Sequence, residues 1–205
     1  MRGSSPLIHC ITNYVTAGDT ANMLLAAGAS PIMADDPSES AEITALAQGL
    51  TLNLGTPSGS RVEAMLRSGA EANRCGIPVV FDPVGAGCSG FRRNSAGEIL
   101  RRVRLTAIRG NLSEISYLAG FESRENGVDS SETRITAAEA AQTAAKKLGC
   151  VCAVTGERDV ISDGSRTVTI LSGTPLLKKV TGAGCMTSAL CAAMCTAADG
   201  FVGAA

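Results

Sequence analysis

Aromatic residues make up only 3% of the 205-residue chain, tryptophan is absent, and histidine occurs once, at His9. Small side chains therefore dominate a 45% hydrophobic composition, which favours helices packed closely on a sheet. Charge of one sign is also lacking, with 18 lysines and arginines against 19 aspartates and glutamates. That balance gives neither the basic field of a nucleic-acid partner nor a charged tail. No apolar run approaches the roughly 18 residues of a spanning helix, so no membrane partner is expected. The polar start Met1-Arg2-Gly3-Ser4-Ser5 reads as a cloning remnant rather than a leader. Eight cysteines are present, but none stands in a Cys-x-x-Cys pair, and His9 is the only imidazole. Structural zinc usually combines several such ligands at short spacing. The cysteines read instead as free, buried, small hydrophobes, which points to a reducing cytoplasm. The first strand–helix junction has no Gly-x-Gly-x-x-Gly, and no Walker lysine motif occurs. A dinucleotide fold and a P-loop are thereby excluded.

What is present is an alternation of short apolar runs and helical spacings. Strands are expected at Leu7–Ile11, Pro31–Met33, Leu50–Leu54, Ile77–Phe81, Leu105–Ile108 and Cys150–Val154. Helices are expected over Thr16–Ala29, Ser38–Ala47, Val62–Asn73, Ser95–Val103, Asn111–Leu118 and Ala137–Leu148. Gly55–Gly59 reads as a break, residues 121 to 134 as a polar surface loop, and Asp163-Gly164-Ser165 as a hairpin turn. A length of this order suits one domain. The alternation means a mostly parallel sheet with helices on both faces, an α/β architecture.

The chain is organised around Val180–Cys195. An apolar run at Leu176, Leu177 and Val180 stops at Thr181, Gly182 and Gly184 bracket Ala183, and an alanine-rich helix begins at Cys185 and closes the chain. Such a turn is either a plain entry into a core helix or an anion hole. Glycines permit close approach, and a helix start presents free N–H groups at its positive end, where a cysteine is favoured as thiolate. Ligands of open sheets bind beyond the carboxyl ends of the strands. The residues just past the apolar runs are Asn13, Met33, Asp82, Arg109, Thr155 and Thr181.

Each of these has a plain and a chemical reading. Asp82 before Pro83 is a turn residue or a metal carboxylate. Asn111-Leu112-Ser113-Glu114 is a capping box or sends Glu114 to magnesium or its waters. Arg109 is an exposed strand-end charge or a fork for phosphate oxygens. Thr155 is a turn residue or a nucleotide contact, Met33 a core or a ligand-facing residue, and His9 a satisfied structural histidine. Taken chemically, they make a phosphoryl-transfer set: an anion hole (Gly182, Ala183, Gly184, Cys185), a cation, metal carboxylates, and Cys185 to accept the proton of an attacking hydroxyl.

The motifs His9-Cys10-Ile11-Thr12-Asn13, Gly28–Met33, Phe81–Gly87, Arg109–Glu114, Thr155–Val160 and Thr181–Cys185 occur in this order. In that order the sequence closely resembles the hydroxyethylthiazole kinases of thiamine salvage, within the ribokinase-like superfamily. The resemblance implies a three-layer ribokinase-like fold and phosphorylation of 4-methyl-5-(2-hydroxyethyl)thiazole by ATP with Mg2+. It implies that Met33 and Gly182 contact the alcohol with Asn13 and Val15 nearby, that Arg109 and Thr155 contact ATP, and that Glu114 and Asp82 serve metal and phosphates. Cys185 stands where related sugar kinases carry an aspartate base. The resemblance further implies a cytoplasmic homotrimer in which the early segment of one subunit covers a neighbour's phosphate machinery. Against the family pattern, the single domain 1–205 is expected to be shortened at both ends, with an abbreviated loop at 121–134. Two other functions compete: a binding protein without turnover, and a kinase for another small alcohol such as hydroxymethylpyrimidine.

Overall fold

A computed structural model describes residues 5–121, 135–171 and 173–205; most of the expected loop at 121–134 lies outside them. Among the described residues eight strands form one sheet in the order β2-β1-β3-β4-β5-β6-β7-β8. They are β1 (Leu7–Ile11), β2 (Ser30–Ile32), β3 (Gly49–Asn53), β4 (Val79–Asp82), β5 (Ala107–Asn111), β6 (Val151–Thr155), β7 (Asp159–Ser162) and β8 (Thr167–Ile170). The first six run parallel, and β7 and β8 add an antiparallel hairpin at one edge.

Side-chain alternation along these strands divides the interior in two. Leu50, Leu52, Phe81, Ile108, Cys152 and Val154 face one layer, while Ile8, Cys10, Val80, Ala107, Val151 and Ala153 face the other. The first layer holds α3 (Gly59–Cys75), α4 (Gly90–Arg102), α5 (Leu112–Ala119) and α6 (Ala137–Leu148), with α2 (Ser40–Leu46) beside α3. The second holds α1 (Ala17–Ala27), α7 (Ala183–Met194) and α8 (Gly200–Ala204). Four alanines of α6 and three alanines of α7 (Ala189, Ala192, Ala193) are buried at these interfaces, so the helix axes approach the sheet closely. The bulk comes from the strands: Phe81, Ile8, Leu50, Leu52 and Ile108 are fully buried. Each contributes about 1.5–3 kcal/mol over an exposed position.

Several element limits differ from expectation for a common reason. α3 and α4 begin at Gly59 and Gly90, earlier than the apolar periodicity, because Ser58 and Ser89 accept hydrogen bonds from the Arg61 and Arg92 N–H groups. A serine cap outweighs the glycine that follows it. The apolar run at Leu176 and Leu177 lies in a 3-10 turn, Pro175–Lys179, started by Thr174 and Pro175. It does not enter the sheet, so Thr181 ends no strand. The chain does not close with the helix after Gly182: Asp199 caps a further short helix, α8.

All eight cysteines are free; Cys10, Cys152, Cys191 and Cys195 are buried, Cys150 and Cys185 partly so, and Cys75 and Cys88 are exposed. His9 is buried between Thr44 (Nδ1 to Oγ1, 2.8 Å) and the Ala34 carbonyl, to which Nε2 donates at 2.7 Å. It fastens β1 to the segment before α2, as a structural histidine does. Among the described residues no helix is long and apolar enough to cross a membrane.

Candidate active site

The order β2-β1-β3 places the topological switch between β1 and β3, where the chain turns from one direction of sheet growth to the other. Crevices outside the carboxyl ends of strands open at such points. Asn13 follows β1 there, and Asn53 ends β3 in register with Asp82, the last residue of β4. Farther along the same rim, Arg109 lies within β5 and Thr155 ends β6. β4 and β6 end one residue later than the apolar runs suggest and β5 three later, so Asp82, Arg109 and Thr155 belong to the ladder itself. Each of Asn53, Asp82, Arg109 and Thr155 is an even number of residues from an inward-facing neighbour of the α7 layer, and all four turn toward α7.

α7 enters this crevice through Gly182, whose φ of 77° lies in the left-handed region. A Cβ at Gly182 would collide with the Thr16 side chain, and one at Gly184 would lie 2.5 Å from Arg109 Nη1. Both glycines therefore allow close approach, one to the start of α1 and one to a guanidinium. The Met186 N–H closes the first turn on the Gly182 carbonyl at 2.9 Å. The N–H groups of Gly184 and Cys185 precede the helix's own ladder and face the crevice end.

Polar contacts join the rim into one network. Asn13 Nδ2 donates to Cys185 Sγ at 3.2 Å and to Asn53 Oδ1 at 3.1 Å. Asn53 Nδ2 donates to Asp82 Oδ2 at 3.0 Å, and the Ser188 hydroxyl donates to the same oxygen at 2.7 Å. Arg109 Nη1 stands 4.0 Å from it, Nη2 donates to the Thr155 hydroxyl, and the buried Nε has no partner among the described residues. Asp82 is fully buried, which pushes its carboxyl up to about 6; Arg109 opposes this, Ser188 and Asn53 favour the charged form, and the Glu114 charge disfavours it.

Glu114 forms a complete capping box: Oε2 accepts from Asn111 N–H and Asn111 Oδ1 accepts from Glu114 N–H, each at 2.9 Å. Its Oε1 accepts from Gly85 N–H, also at 2.9 Å, which ties the loop after β4 to α5. The capping-box reading of the motif holds, and the same carboxylate lies close enough for its charge to act on Asp82.

The model of the hydroxyethylthiazole kinase family matches residues 1–205. The hydroxyethylthiazole kinase of Ruminiclostridium cellulolyticum is 51% identical over 208 residues, covering all of this chain and 76% of that protein. The chain belongs to the hydroxyethylthiazole kinase family. The solved hydroxyethylthiazole kinase of Pyrococcus horikoshii superposes with a TM-score of 0.89 at 39% identity, over 99% of this chain and 76% of that one. A ribokinase-like superfamily protein from Enterococcus faecalis, 12% identical, shares the fold at a TM-score of 0.66 over 97% of this chain and 75% of its own.

The strand ends, the glycine turn and the capping motif pointed to Asn13, Asp82, Arg109, Thr155, Gly182, Ala183, Gly184, Cys185 and Glu114, which the structure gathers at one rim. Val15 and Met33 do not join the network: they stand 57% and 39% exposed beside the still more exposed Tyr14. The expectation that the early segment lies over a neighbour's phosphate machinery does not hold for Asn13, which reaches Cys185 of its own chain. The reason is topological, since α7 packs against β1, β3, β4 and α1.

Three residues escaped the sequence reading. Asn53 hides in a strand read as apolar through Leu54, although an asparagine two residues before Gly55 was a usable signal. Ser188 sits within an alanine-rich helix, where nothing in the sequence marks it. Arg92, from α4, donates to the carbonyls of Leu54, Val84 (2.6 Å) and Gly55 (2.8 Å), bracing the loops after β3 and β4.

Proposed function

We propose that this chain transfers the γ-phosphoryl group of ATP to the primary hydroxyl of 4-methyl-5-(2-hydroxyethyl)thiazole, in thiamine salvage. The observation that carries this reading is the meeting of Cys185 Sγ, the Gly182–Cys185 helix entry and the Arg109 guanidinium in one crevice, within a family named for that alcohol. The alcohol oxygen attacks the γ-phosphorus, the bond from phosphorus to the bridging oxygen breaks, and ADP leaves with that electron pair. The hydroxyl proton passes to Cys185 Sγ. The N–H groups at the α7 entry and the Arg109 fork bind and orient phosphate oxygens as charge spreads over them. Thr155 holds the guanidinium in place. Gly182 meets the alcohol through its backbone beside Cys185, with Met33 and Val15 as the apolar wall.

Asp82 and Glu114 are close enough for their charges to oppose one another, and no set of three or more His, Cys, Asp or Glu side chains suited to a metal occurs among the described residues. Two carboxylates fit Mg2+, which keeps much of its water and takes the rest of its shell from substrate phosphates. When bound, Mg2+ would neutralise phosphate charge. Glu114→Gln tests the assignment. Glutamine retains one acceptor for two backbone N–H groups, so stability falls by about 1–2 kcal/mol, or roughly 2–8 °C in melting temperature. The Mg2+ concentration for half-maximal turnover rises several-fold. A lower melting temperature with unchanged Mg2+ dependence would leave Glu114 as a cap alone.

Release of ADP that depends on the thiazole alcohol tests the activity. Binding without release would make the chain a binding protein, and preference for hydroxymethylpyrimidine in the same assay would reassign the substrate. We further place the protein in the cytoplasm as a homotrimer of one kinase domain per subunit, supported by its free cysteines and by the exposed Tyr14, Val15 and Met33 at the rim. A second subunit would cover these three and complete the alcohol pocket, and a closed ring of three leaves no open interface. Met33→Arg and Cys185→Ala, each poor alone, then restore one another when co-expressed. Random mixing leaves about one interface in four with both residues intact. Co-assembly with no activity above either parent would show that the pocket is not shared.

A further inference from the structure

The two asparagine amides of the crevice have their orientations fixed by backbone donors. A backbone N–H only donates, so the side-chain atom facing it is the amide oxygen. Asn13 Oδ1 accepts from Thr16 N–H and from the Thr16 hydroxyl, both at 3.1 Å. Its Nδ2 must then face Asn53 and Cys185. Asn53 Oδ1 accepts from Gly55 N–H at 2.8 Å, which turns its Nδ2 to Asp82. Both amides are buried.

The hydrogen-bond capacity of Asn13 is therefore used within the protein: two bonds accepted from Thr16, and two donated, to Asn53 Oδ1 and Cys185 Sγ. Nothing is left to bond a substrate. Toward the sulfur the amide presents a donor, so Cys185 Sγ is an acceptor on that side. Any proton the sulfur receives has to lie on another side, toward the crevice. Asn53 supplies the acceptor that keeps the second Asn13 N–H from swinging away, and the buried Asp82 carboxylate anchors Asn53 in turn.

We propose that Asn53 is a positioning residue for phosphoryl transfer: through Asn13 it holds a hydrogen-bond donor on Cys185 Sγ, so that the sulfur meets the alcohol as a proton acceptor. Asn13 on this account orients the thiol and touches the thiazole alcohol only by van der Waals contact. The catalytic half of the proposal rests on the role given to Cys185 under Proposed function; the orientation of the sulfur does not.

Asn53→Leu keeps the size of the side chain and removes its donor and acceptor. Two readouts separate the parts of the proposal. The first is alkylation of Cys185 by iodoacetamide at pH 7.5 without nucleotide, resolved by site with mass spectrometry, using the exposed Cys75 and Cys88 as internal references. The Asn13 donor fixes the sulfur in place at the crevice, so the Cys185 rate falls about tenfold in the variant, about the worth of one hydrogen bond, while the references do not change. The second is turnover: kcat falls about 10–100-fold, with KM for ATP and for the alcohol within about threefold. If the leucine variant does not fold by circular dichroism, Asn53→Ser, which is smaller and leaves room for water, is measured in its place. An unchanged or faster Cys185 alkylation overturns the relay whatever turnover does. Slower alkylation with normal turnover removes Asn53 from the reaction, and normal turnover of Cys185→Ala then shows that the fault lies in the role given to Cys185.

Discussion

Cys185→Ala lowers turnover by about 10²–10⁴-fold, the range for loss of a positioned acid–base group, and leaves ATP affinity within a few-fold. The side chain meets the reacting hydroxyl, whereas phosphate is held by the backbone of the α7 entry and by Arg109, which alanine does not disturb. A loose transition state asks little of a base before the bond to the leaving group breaks, which keeps the loss below that of removing the whole anion site. Cys185→Asp restores part of the activity, because a carboxylate is ionised near pH 7 and accepts from Asn13 Nδ2 as the sulfur does. Steady-state kinetics and nucleotide titration check both variants. Unchanged turnover in the alanine protein removes Cys185 from the mechanism, and an aspartate protein as inactive as alanine makes the size and softness of sulfur the deciding property.

Asp82→Asn makes the protein more stable and nearly inactive. Burial raises the Asp82 carboxyl from 3.8 to about 6 in the folded chain. A group whose folded value is raised favours the fold fully below its unfolded value and loses that contribution as pH climbs through the folded one. Asparagine behaves as the permanently neutral form. Its advantage is absent below about pH 4, grows between pH 4 and 6, and levels off above 6 at roughly 1–3 kcal/mol by the linkage of protonation to folding. Denaturant unfolding at pH 3.5, 5 and 8 measures it, and equal stabilities at pH 8 would contradict the buried-charge account. Turnover falls by about 10²-fold or more at pH 8, since the amide brings no charge to a metal and leaves Arg109 without its nearby carboxylate, and the difference narrows below pH 6, where the wild-type carboxyl is neutral as well. The ionised Asp82 is thus a charge held in the core at a cost in stability, as sites that bind phosphate and metal require.

The layered architecture was legible because the strands are apolar and the helices small-residue amphipaths, two periods that do not mimic each other. The rim was legible for a second reason: strand ends in a parallel sheet share one side, so Asp82, Arg109 and Thr155 were grouped before any contact was known. What stayed hidden depends on direction rather than position. Ser188 reaches Asp82 only because α7 crosses the sheet at a particular rotation, and no local pattern records that angle. Asn53 was concealed by the leucines on either side, which face the opposite layer. The helix starts at Gly59 and Gly90 were missed because a serine cap acts through one hydrogen bond and leaves no periodic trace. The turn at Leu176 and Leu177 has strand-like composition, and its departure from the sheet is decided by Thr174 and Pro175 before it.

The bond from Asn13 to Cys185 spans 172 positions of the chain, and that span sets a timetable for the molecule's manufacture. At about 5–20 residues per second, a ribosome makes Asn13 roughly 10–35 s before its partner. Throughout that interval β1, β3 and β4 can pair, but the face that α7 and α8 will cover, with Ile8, Val80 and Ala107, lies bare. The nascent chain carries a sticky half-built sheet until residues 183–205 emerge, which both cover it and complete the crevice.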